Sequence, residues 1–408
     1  MTTTILHVAQ SSGGGVARVV ADIAAGQLAR GHRVVVACLP DSALSAAARR
    51  RGAEILAWRA ARTPDTRLPR EVADLRRVIG SVRPDVLHLH SSKAGLAGRL
   101  AVRGRLPTVF QPHAWSFNAV TGGLRVASVC WERAGARWAH QIVCVSEGER
   151  AQGLAAGVSA SFTVVPNGID LDHFRAAESP RRDAARSRLG LAPSILLAVC
   201  VGRLCRQKGQ DILLDAWRGI VDQLPAAQLV LVGDGPDRDS LMRRSPTNVL
   251  FAGAVEDPRD WYRAADLVVL PSRWEGMALA PLEAMACGCP VVVTDVPGAR
   301  ESLPPDVAAR LLVPRGDGPA LADAVTALLA DREACDAIGS QGYAHVCRHH
   351  DVRRVVERTE AVYDAALRAR VARPGSLPAR APGLRSDRKS GRVRDEEAAT
   401  PSKWPPAR

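Results

Sequence analysis

Short apolar runs alternate with amphipathic stretches along most of the chain. The run over residues 4–9 leads into a glycine-rich turn, an amphipathic helix over 16–30 and a second apolar run over 33–39. This strand, helix, strand succession predicts parallel strands joined by a crossover helix. The same alternation continues with strands over 85–90, 108–111, 141–145 and 162–165, and with helices over 68–79, 93–102 and 124–139.

A second series of the same kind begins near residue 195. It predicts strands over 195–201, 228–232, 249–252 and 267–270, and helices over 210–220, 237–244, 257–264, 319–330 and 353–368. Two such series predict an α/β protein with two doubly wound, Rossmann-like domains that face each other across a cleft. We place a first domain at 1–175, a linker at 176–193, a second domain at 194–350, a helix at 351–371 that returns to the first domain, and a tail at 372–408.

The stretch over 270–293 reads as a buried strand, a turn, a helix and another strand. The turn leaves free N–H groups at a helix N-terminus, and such a terminus binds anions. Glu275 and Glu283 flank the turn, and we expect them to hold neutral hydroxyls because carboxylates repel phosphate. A nucleotide-sugar combines phosphate with sugar hydroxyls, so the stretch predicts a site for one. The backbone groups that we expect to bind it belong to Gly276, Met277, Ala278 and Leu279.

Two other loops of the second half carry suitable groups. Arg203 and Lys208 follow a predicted strand, where two fixed cations can neutralise a pyrophosphate and stabilise it as a leaving group. Gly233, Asp234 and Gly235 form a tight turn after the next strand, and its glycines allow close backbone approach. We therefore expect both loops to contribute to nucleotide-sugar binding.

The glycine-rich turn after the first strand resembles a dinucleotide-binding loop. It contains Gly13, Gly14 and Gly15, but Arg18 stands where the G-x-G-x-x-G pattern needs glycine or alanine. We expect instead a loop that approaches an acceptor or a phosphate closely, with Arg18 as an anion contact.

The composition is that of a globular protein with two cores. The chain has 408 residues, of which 47% are hydrophobic and 24% charged. No window reaches the roughly 18 apolar residues of a membrane span, and the first residues lack a signal-peptide pattern. We therefore expect a cytoplasmic protein. The nine cysteines form no CxxC pair, which favours buried thiols in a reducing compartment.

The formal charge of +13 is concentrated in two segments. The tail over 372–408 has nine basic and four acidic residues, a net +5, and its composition predicts disorder. Residues 49–77 carry nine arginines against four acids, another +5. A basic face favours anionic partners such as the inner face of the cell membrane, although a solvated arginine-rich surface has the same composition. With 4% aromatic residues and no nucleic-acid motif, we expect no nucleic-acid partner.

Together these motifs resemble the retaining glycosyltransferases of the GT-B fold, in the large group-4 family also described as glycosyl transferases group 1. The resemblance covers residues 5–368 and rests on the loops already described and on residues 165–170. It implies transfer of a sugar from a nucleotide-sugar, UDP- or GDP-linked, with retained anomeric configuration, no cofactor and no obligatory metal. It also implies that Arg203 and Lys208 bind the diphosphate, Glu283 the ribose and Glu275 the transferred sugar.

The first half is similar to family members that build bacterial surface polysaccharides on sugar or lipid-linked acceptors. The similarity lies in residues 88–99 and 112–117. The second segment commonly reads His-Gly-Trp in the family, and here Ala114 replaces the glycine and allows less close approach. The resemblance implies that His113 faces the donor sugar across the cleft and, with Arg203, Lys208 and Glu275, belongs to the catalytic set.

Other chemistry is compatible with parts of the sequence. His88 and His90 share one face of a predicted strand, but no third metal ligand lies nearby in sequence, so we expect no metal site. A nucleotide-sugar epimerase acting on UDP-N-acetylglucosamine has the same architecture and needs no acceptor. A non-catalytic nucleotide-sugar-binding protein is a third alternative. Short acidic pairs that mimic a metal-binding motif of single-domain glycosyltransferases occur at Asp170-x-Asp172 and Asp237-x-Asp239.

Overall fold

Two parallel β-sheets joined by helices form the fold. The computed structural model describes residues 2–11, 13–174 and 181–371, and these belong to one compact unit. Every pairing between named strands in these ranges is parallel. The prediction of two Rossmann-like sheets is therefore confirmed.

The first half contains the seven-stranded sheet. Its elements are β1 (Thr4–Ala9), α1 (Gly14–Ala29), β2 (Arg33–Cys38), α2 (Ala43–Arg50), β3 (Glu54–Ala57), α3 (Leu68–Val82), β4 (Val86–His90), α4 (Ser91–Val102), β5 (Thr108–Gln111), α5 (Gly122–Ala136), β6 (Gln141–Cys144), α6 (Glu147–Ala155) and β7 (Phe162–Val164).

The second half contains the six-stranded sheet. After α7 (Leu171–Phe174) in the connection, its elements are α8 (Arg181–Arg188), β8 (Leu196–Val201), α9 (Gln210–Gln223), β9 (Ala227–Val232), α10 (Arg238–Arg244), β10 (Val249–Gly253), α11 (Arg259–Ala264), β11 (Leu267–Leu270), α12 (Leu279–Ala286), β12 (Val291–Thr294), α13 (Ala299–Ser302), α14 (Ala308–Leu311), β13 (Leu312–Val313), α15 (Gly318–Ala330), α16 (Arg332–His349) and α17 (Val352–Val371).

The strand order reverses once in each sheet. The first sheet has the order β3-β2-β1-β4-β5-β6-β7 and the second β10-β9-β8-β11-β12-β13. The switch points therefore lie between β1 and β4 and between β8 and β11. Open α/β sheets bind ligands outside the carboxyl ends of the strands at such points, because the connecting helices diverge there to opposite faces.

Local sequence explains the element that matters most for the site, α12. All four residues of β11 are buried apolar side chains, which suits a strand covered on both faces. The helix starts after Ala278, whose backbone is extended with φ −73° and ψ 142°. It ends at Cys287 and is followed by Gly288 with φ +79°, a left-handed residue that stops helices.

The chain crosses between the halves twice at adjacent positions. The N–H of Ile169 donates to the carbonyl of His350 (2.9 Å), and the N–H of Val352 donates to the carbonyl of Ile169 (3.0 Å). After the return crossing, α17 packs against α1 of the first half. The amide of Gln27 in α1 donates to the hydroxyl of Tyr363 in α17 (3.2 Å).

The structure differs from the sequence prediction at several elements. Besides α8, eight were not predicted: α2, β3, α6, α7, α13, α14, β13 and α16. Within the expected linker, α8 is a charged helix whose Arg186 is buried because it binds Asp266 (2.7 Å) and the carbonyl of Ala264 (3.0 Å). The expected disordered tail over 372–408 and residues 175–180 lie outside the described residues. Among the described residues, no helix combines the length and apolar character that a membrane crossing requires.

Candidate active site

The loops after β8 and β11 lie side by side at the switch point of the second sheet. The N–H of Arg273 donates to the carbonyl of Gln207 (2.7 Å), and the Arg273 guanidinium binds both carboxylate oxygens of Asp211 at 2.7 and 2.6 Å. Gly209 has φ +69°, and a Cβ at this position would lie 2.0 Å from the carbonyl oxygen of Pro271. Only glycine fits there, so the two loops are fastened together by backbone contact.

Lys208 and Glu275 form an ion pair between these two loops. Lys208 Nζ lies 2.7 Å from Glu275 Oε1, and Ser272 Oγ donates to the same oxygen at 2.7 Å. Gln207 Nε2 donates to Glu275 Oε2 at 3.3 Å. Glu275 is only 7% exposed, so three donors hold a nearly buried carboxylate in one orientation. Arg203 lies on the same loop as Lys208 and is partly exposed.

The tight turn after β9 packs against the loop after β8. A Cβ on Gly233 would lie 2.1 Å from the carbonyl oxygen of Gly202, and one on Gly235 would lie 2.2 Å from that of Leu204. The N–H of Leu204 donates to the carbonyl of Asp234 at 3.0 Å. The close approach that these glycines allow is therefore to protein backbone, which places the loop that carries the two predicted cations.

The turn before α12 is held by the first half of the chain. Ser146 Oγ donates to the carbonyl of Gly276 (2.8 Å), and Asn167 Nδ2 donates to the carbonyl of Met277 (2.8 Å). In a trans peptide the N–H points opposite to the carbonyl, so the N–H groups of Met277 and Ala278 point away from these two side chains. The N–H groups of the first helical turn, starting at Leu279, have no partner inside the helix. The anion site predicted here thus has an orientation set by both halves.

Gly276 lies in close contact with the first half. A Cβ on this residue would lie 2.8 Å from Val145 Cγ2, 3.0 Å from Ala114 N and 3.0 Å from Glu149 Oε1. The sequence suggested that the absence of a side chain lets a ligand approach. In the structure the direction of that missing side chain is occupied by protein atoms, so glycine is needed for contact between the halves.

Arg18 reaches across from α1 to α12 and forms an ion pair with Glu283 through Oε1. Tyr262 donates its hydroxyl to Glu283 Oε2 at 2.7 Å, and the Arg18 guanidinium lies 5.4 Å from the centre of the Phe174 ring. Glu283 is 4% exposed. Arg18, which the sequence analysis predicted as an anion contact, therefore binds the carboxylate of Glu283, which was predicted to hold ribose.

The glycine-rich loop after β1 meets the start of α12. Gly13 precedes α1 in an extended conformation, and Gly14 has φ +75°, which favours glycine. A Cβ on Gly15 would lie 3.7 Å from Leu279 Cδ1, which is ordinary contact. The loop from the first half and the helix N-terminus from the second therefore face each other directly.

His113 and Ala114 follow β5 in left-handed conformations, with φ +56° and +106°. The N–H groups of Ala114 and Val145 donate to the two carboxylate oxygens of Glu149 at 2.6 and 2.7 Å. Burial raises the pKa of Glu149 to about 7, although both N–H donors favour its ionised form. The loop keeps a backbone suited to the family's glycine even though alanine occupies the position.

Three buried histidines lie behind His113. In the register of β1 with β4, His7 pairs with His88, and ring nitrogens of His7, His88 and His90 lie within 4.8 Å of one another. The sequence analysis found no third ligand near His88 and His90, and the neighbouring strand supplies one. His7 Nδ1 and His90 Nε2 are 2.9 Å apart in a hydrogen bond, and His7 Nε2 is bonded to Gln27. A metal ion bound here would have to replace these bonds.

Sequence reasoning gave no role to several residues that shape the site: Ser146, Glu149, Tyr262, His7 and Asn167, the last of which lies in the 165–170 motif. One signal was available, since Ser146-x-x-Glu149 is the pattern of a helix cap and the Ser146 hydroxyl accepts the Glu149 N–H at 3.0 Å. Nothing in that pattern predicts that the Glu149 carboxylate turns inward to bind two backbone groups of other loops.

Both halves of the chain match families of known proteins. Residues 196–331 match the family described as glycosyl transferases group 1, and residues 13–173 match glycosyltransferase family 4. The chain is 33% identical over 343 residues to a D-inositol 3-phosphate glycosyltransferase 1 of Catenulispora acidiphila, a match that covers 75% of this chain and 81% of the relative. It is 33% identical to the lipopolysaccharide core biosynthesis mannosyltransferase LpsB of Rhizobium meliloti over 52% of this chain and 64% of that protein, less than two thirds of its length.

A solved structure has the same fold. The crystal structure of Anabaena Alr3699/HepE in complex with UDP and glucose superposes with a TM-score of 0.76, covering 89% of this chain and all of that chain at 23% identity. The two parallel sheets, their facing loops and the matches over both halves lead to one conclusion. The chain belongs to the glycosyl transferases group 1, with the GT-B fold.

Proposed function

We propose that the protein is a retaining hexosyltransferase that moves a sugar from a nucleotide-diphosphate sugar to a sugar or lipid-linked acceptor in bacterial cell-surface glycan synthesis. The observation that carries this proposal is the Lys208–Glu275 pair. It puts a cation and a carboxylate beside a helix N-terminus at the switch point of the second sheet. That combination suits a ligand with a diphosphate at one end and hydroxyls at the other.

The residues divide into two roles in this proposal. Lys208, Arg203 and the N-terminus of α12 stabilise negative charge on the departing diphosphate, each group contributing about 3 kcal/mol by analogy with oxyanion donors. Glu275 and His113 hold hydroxyls of the transferred sugar. The acceptor oxygen then attacks the anomeric carbon from the side on which the diphosphate leaves, and its proton passes to a diphosphate oxygen. No metal or cofactor takes part.

The donor is a UDP- or GDP-sugar in this proposal. Two named proteins support that choice: a similar protein of Corynebacterium glutamicum is named as a GDP-mannose-dependent mannosyltransferase, and the Anabaena structure holds UDP and glucose. Glu283 holds the ribose, and the turn containing Gly233 and Gly235 places the phosphate-binding loop. The glycine-rich loop with Arg18 faces the acceptor or its phosphate.

We place the acceptor at the inner face of the cell membrane. Two large apolar side chains project from α5 of the first half, Leu124 (71% exposed) and Val126 (64% exposed), with Arg125 exposed between them. Apolar tips beside a basic residue suit the interface of an anionic bilayer. The proposed location is therefore cytoplasmic with peripheral membrane contact.

A donor panel tests the proposal. The full chain is incubated with UDP-, GDP-, ADP- and TDP-sugars, and we expect one of the first two to raise the melting temperature and to be hydrolysed slowly without acceptor. Addition of a lipid-linked sugar should accelerate turnover, with retained anomeric configuration by NMR and no loss in EDTA. Conversion of the donor to a sugar of inverted configuration at one ring carbon, without any acceptor, would instead identify an epimerase, and binding without turnover a non-catalytic protein.

A further inference from the structure

A chain of hydrogen bonds leads from His113 at the cleft into the interior of the first half. His113 Nε2 lies 3.1 Å from His90 Nδ1, and His90 Nε2 lies 2.9 Å from His7 Nδ1. His7 Nε2 lies 2.8 Å from Gln27 Oε1. Each histidine thus uses its two nitrogens on two different neighbours, except His113, whose Nδ1 has no partner among the described residues.

The direction of donation along this hydrogen-bond chain follows from its inner end, at Gln27. Gln27 Nε2 donates to the Tyr363 hydroxyl at 3.2 Å, so the other amide atom, Oε1, is the one that faces His7. With the amide in this orientation Oε1 accepts, and His7 Nε2 carries a hydrogen. The Tyr363 hydroxyl in turn lies 2.7 Å from Nδ1 of His88, which forms a separate branch.

The three histidines of this hydrogen-bond chain are neutral. Burial lowers the pKa of His7 to about 4 and that of His113 to about 3, and the pKa of His90 lies well below its ordinary value for the same reason, with neighbouring histidines adding to it. A neutral imidazole has one N–H and one acceptor nitrogen. Since His7 Nε2 carries hydrogen, His7 Nδ1 accepts from His90 Nε2, and His90 Nδ1 accepts from His113 Nε2.

We propose that Gln27, His7 and His90 are positioning residues that hold His113 as the neutral Nε2–H tautomer, whose free Nδ1 accepts a hydrogen bond from a hydroxyl of the transferred sugar. The second clause rests on the proposed function, whereas the tautomer does not. His113 is partly exposed, whereas the His90 and His7 side chains are fully buried. The polarity of a buried chain therefore determines the chemistry of one nitrogen at the cleft.

This arrangement limits what His113 recognises. A bare imidazole nitrogen accepts a hydrogen bond and donates none, so it binds a hydroxyl and gains nothing from a carboxylate or a carbonyl oxygen. A donor sugar with a hydroxyl at the facing position should be preferred over its deoxy or oxidised analogue. Loss of this one hydrogen bond between the sugar and His113 corresponds to roughly 10-fold in kcat/KM.

A nuclear magnetic resonance experiment tests the tautomer directly. The full chain is labelled with 15N-histidine, and two-bond 1H–15N spectra are recorded at pH 7 with His113→Asn to assign the resonance. We expect a protonated Nε2 and an unprotonated Nδ1 for His113. The Nδ1–H tautomer or a charged ring at pH 7 would overturn the proposal, as would a stoichiometric metal ion in the purified protein.

Matched variants test whether the hydrogen-bond chain determines the tautomer of His113. His90→Asn keeps an acceptor oxygen for His113 Nε2 and should retain the tautomer and KM for the donor. His90→Leu removes it, and we expect a mixture of tautomers with KM raised about 10-fold and a smaller change in kcat. His88→Leu is the control, because His88 is equally buried on the same strand but lies on the separate branch. Equal KM values for the two leucine variants would contradict the proposal.

Two further points keep the test decisive. If His90→Leu does not fold, Gln27→Met breaks the chain at its far end without touching His90 or His113, and the same change of tautomer is expected. Absence of sugar transfer in every variant and in the native protein would contradict the proposed function. It would leave the proposed tautomer of His113 standing, because the tautomer is measured without donor.

Discussion

Arg18 and Glu283 form an ion pair that joins the two halves of the protein across the candidate active site. They are separated by 265 positions in the sequence, and each half supplies one of them. Because Tyr262 donates to the second carboxylate oxygen, Glu283 is oriented from both sides. The carboxylate still has lone pairs for a ribose hydroxyl, since ionised carboxylates offer about four acceptor sites.

Replacing Glu283 by glutamine should weaken donor use more than replacing its neutral partner. Glu283→Gln removes the charge, and we expect kcat/KM for the donor to fall about 10- to 100-fold, mainly through KM, because hydrogen bonds to charged groups contribute about 1.5–3 kcal/mol. Tyr262→Phe removes one neutral donor to the same carboxylate and should cost about 5-fold. Steady-state kinetics decide the matter, and equal losses in both variants would argue against a ribose contact.

Lys208 should contribute to kcat far more than a neighbouring basic residue. For Lys208→Ala we expect kcat to fall roughly 100- to 1000-fold, as for loss of an oxyanion donor. Arg206→Ala is the control, because Arg206 lies on the same loop with an exposed side chain and contacts Arg273 through its backbone carbonyl. We expect less than a 2-fold change there. Comparable losses would mean that the loop acts only through its overall charge.

Glycine at position 114 should stabilise the protein, against the usual effect of an alanine-to-glycine change. Ala114 has φ +106°, a region that costs residues with a Cβ about 1–3 kcal/mol, while glycine loses about 0.5–1 kcal/mol more chain entropy on folding. We expect Ala114→Gly to raise the free energy of unfolding by up to about 1 kcal/mol, measured by urea titration. A clear loss of stability would show that the alanine methyl group makes compensating contacts.

Stability should fall in mild acid because of the buried histidines. The folded pKa of His7, about 4, lies below its ordinary value, so the unfolded chain binds a proton first and unfolding is favoured as pH falls from 6.5 to 4. At pH 5 this amounts to about 2 kcal/mol for His7. Glu149 and Asp22 act in the opposite direction, since burial raises their pKa to about 7 and about 6.

The contribution of His7 can be separated from these opposing groups. Urea unfolding of the native protein and of His7→Gln is measured at several pH values from 6.5 to 5. We expect the slope of unfolding free energy against pH to be lower in the variant by about 1 kcal/mol per pH unit, averaged over this range, because His7 of the unfolded chain is only half protonated at pH 6.5. Because slopes are compared, a constant loss of stability in the variant does not matter. Identical slopes would show that His7 titrates normally in the folded protein.

The fold was predictable because buried parallel strands are continuous apolar runs. The sequence placed β1, β5 and β11 at their observed bounds. It missed β3, which has four residues of mixed exposure, and α2, whose eight residues include few large apolar side chains. Short elements of this kind are determined by the neighbours on which they pack, which single-sequence periodicity does not contain.

The candidate site was predictable as far as it is local. The sequence places four residues in loops or helix starts that follow predicted strands: Arg203, Lys208, Glu275 and Glu283. Their roles in binding a donor are proposals. Pairings between distant segments were not predictable: spacing says nothing about Glu149 reaching the His113 loop, or about His7 meeting His90 through the pairing of β1 with β4. These contacts arise from sheet order, which becomes known only in the folded chain.

Ser146 and Asn167 donate hydrogen bonds to the carbonyls of Gly276 and Met277. These two bonds limit how the halves of this protein can be exchanged with those of a relative. The turn before α12 belongs to the second half, yet two side chains of the first half hold its carbonyls. We expect a chimera that joins this second half to the first half of a relative to keep the conformation of this turn only if that first half has residues equivalent to Ser146 and Asn167. The conformation of this turn is therefore a property of the two halves together and not of the second half alone.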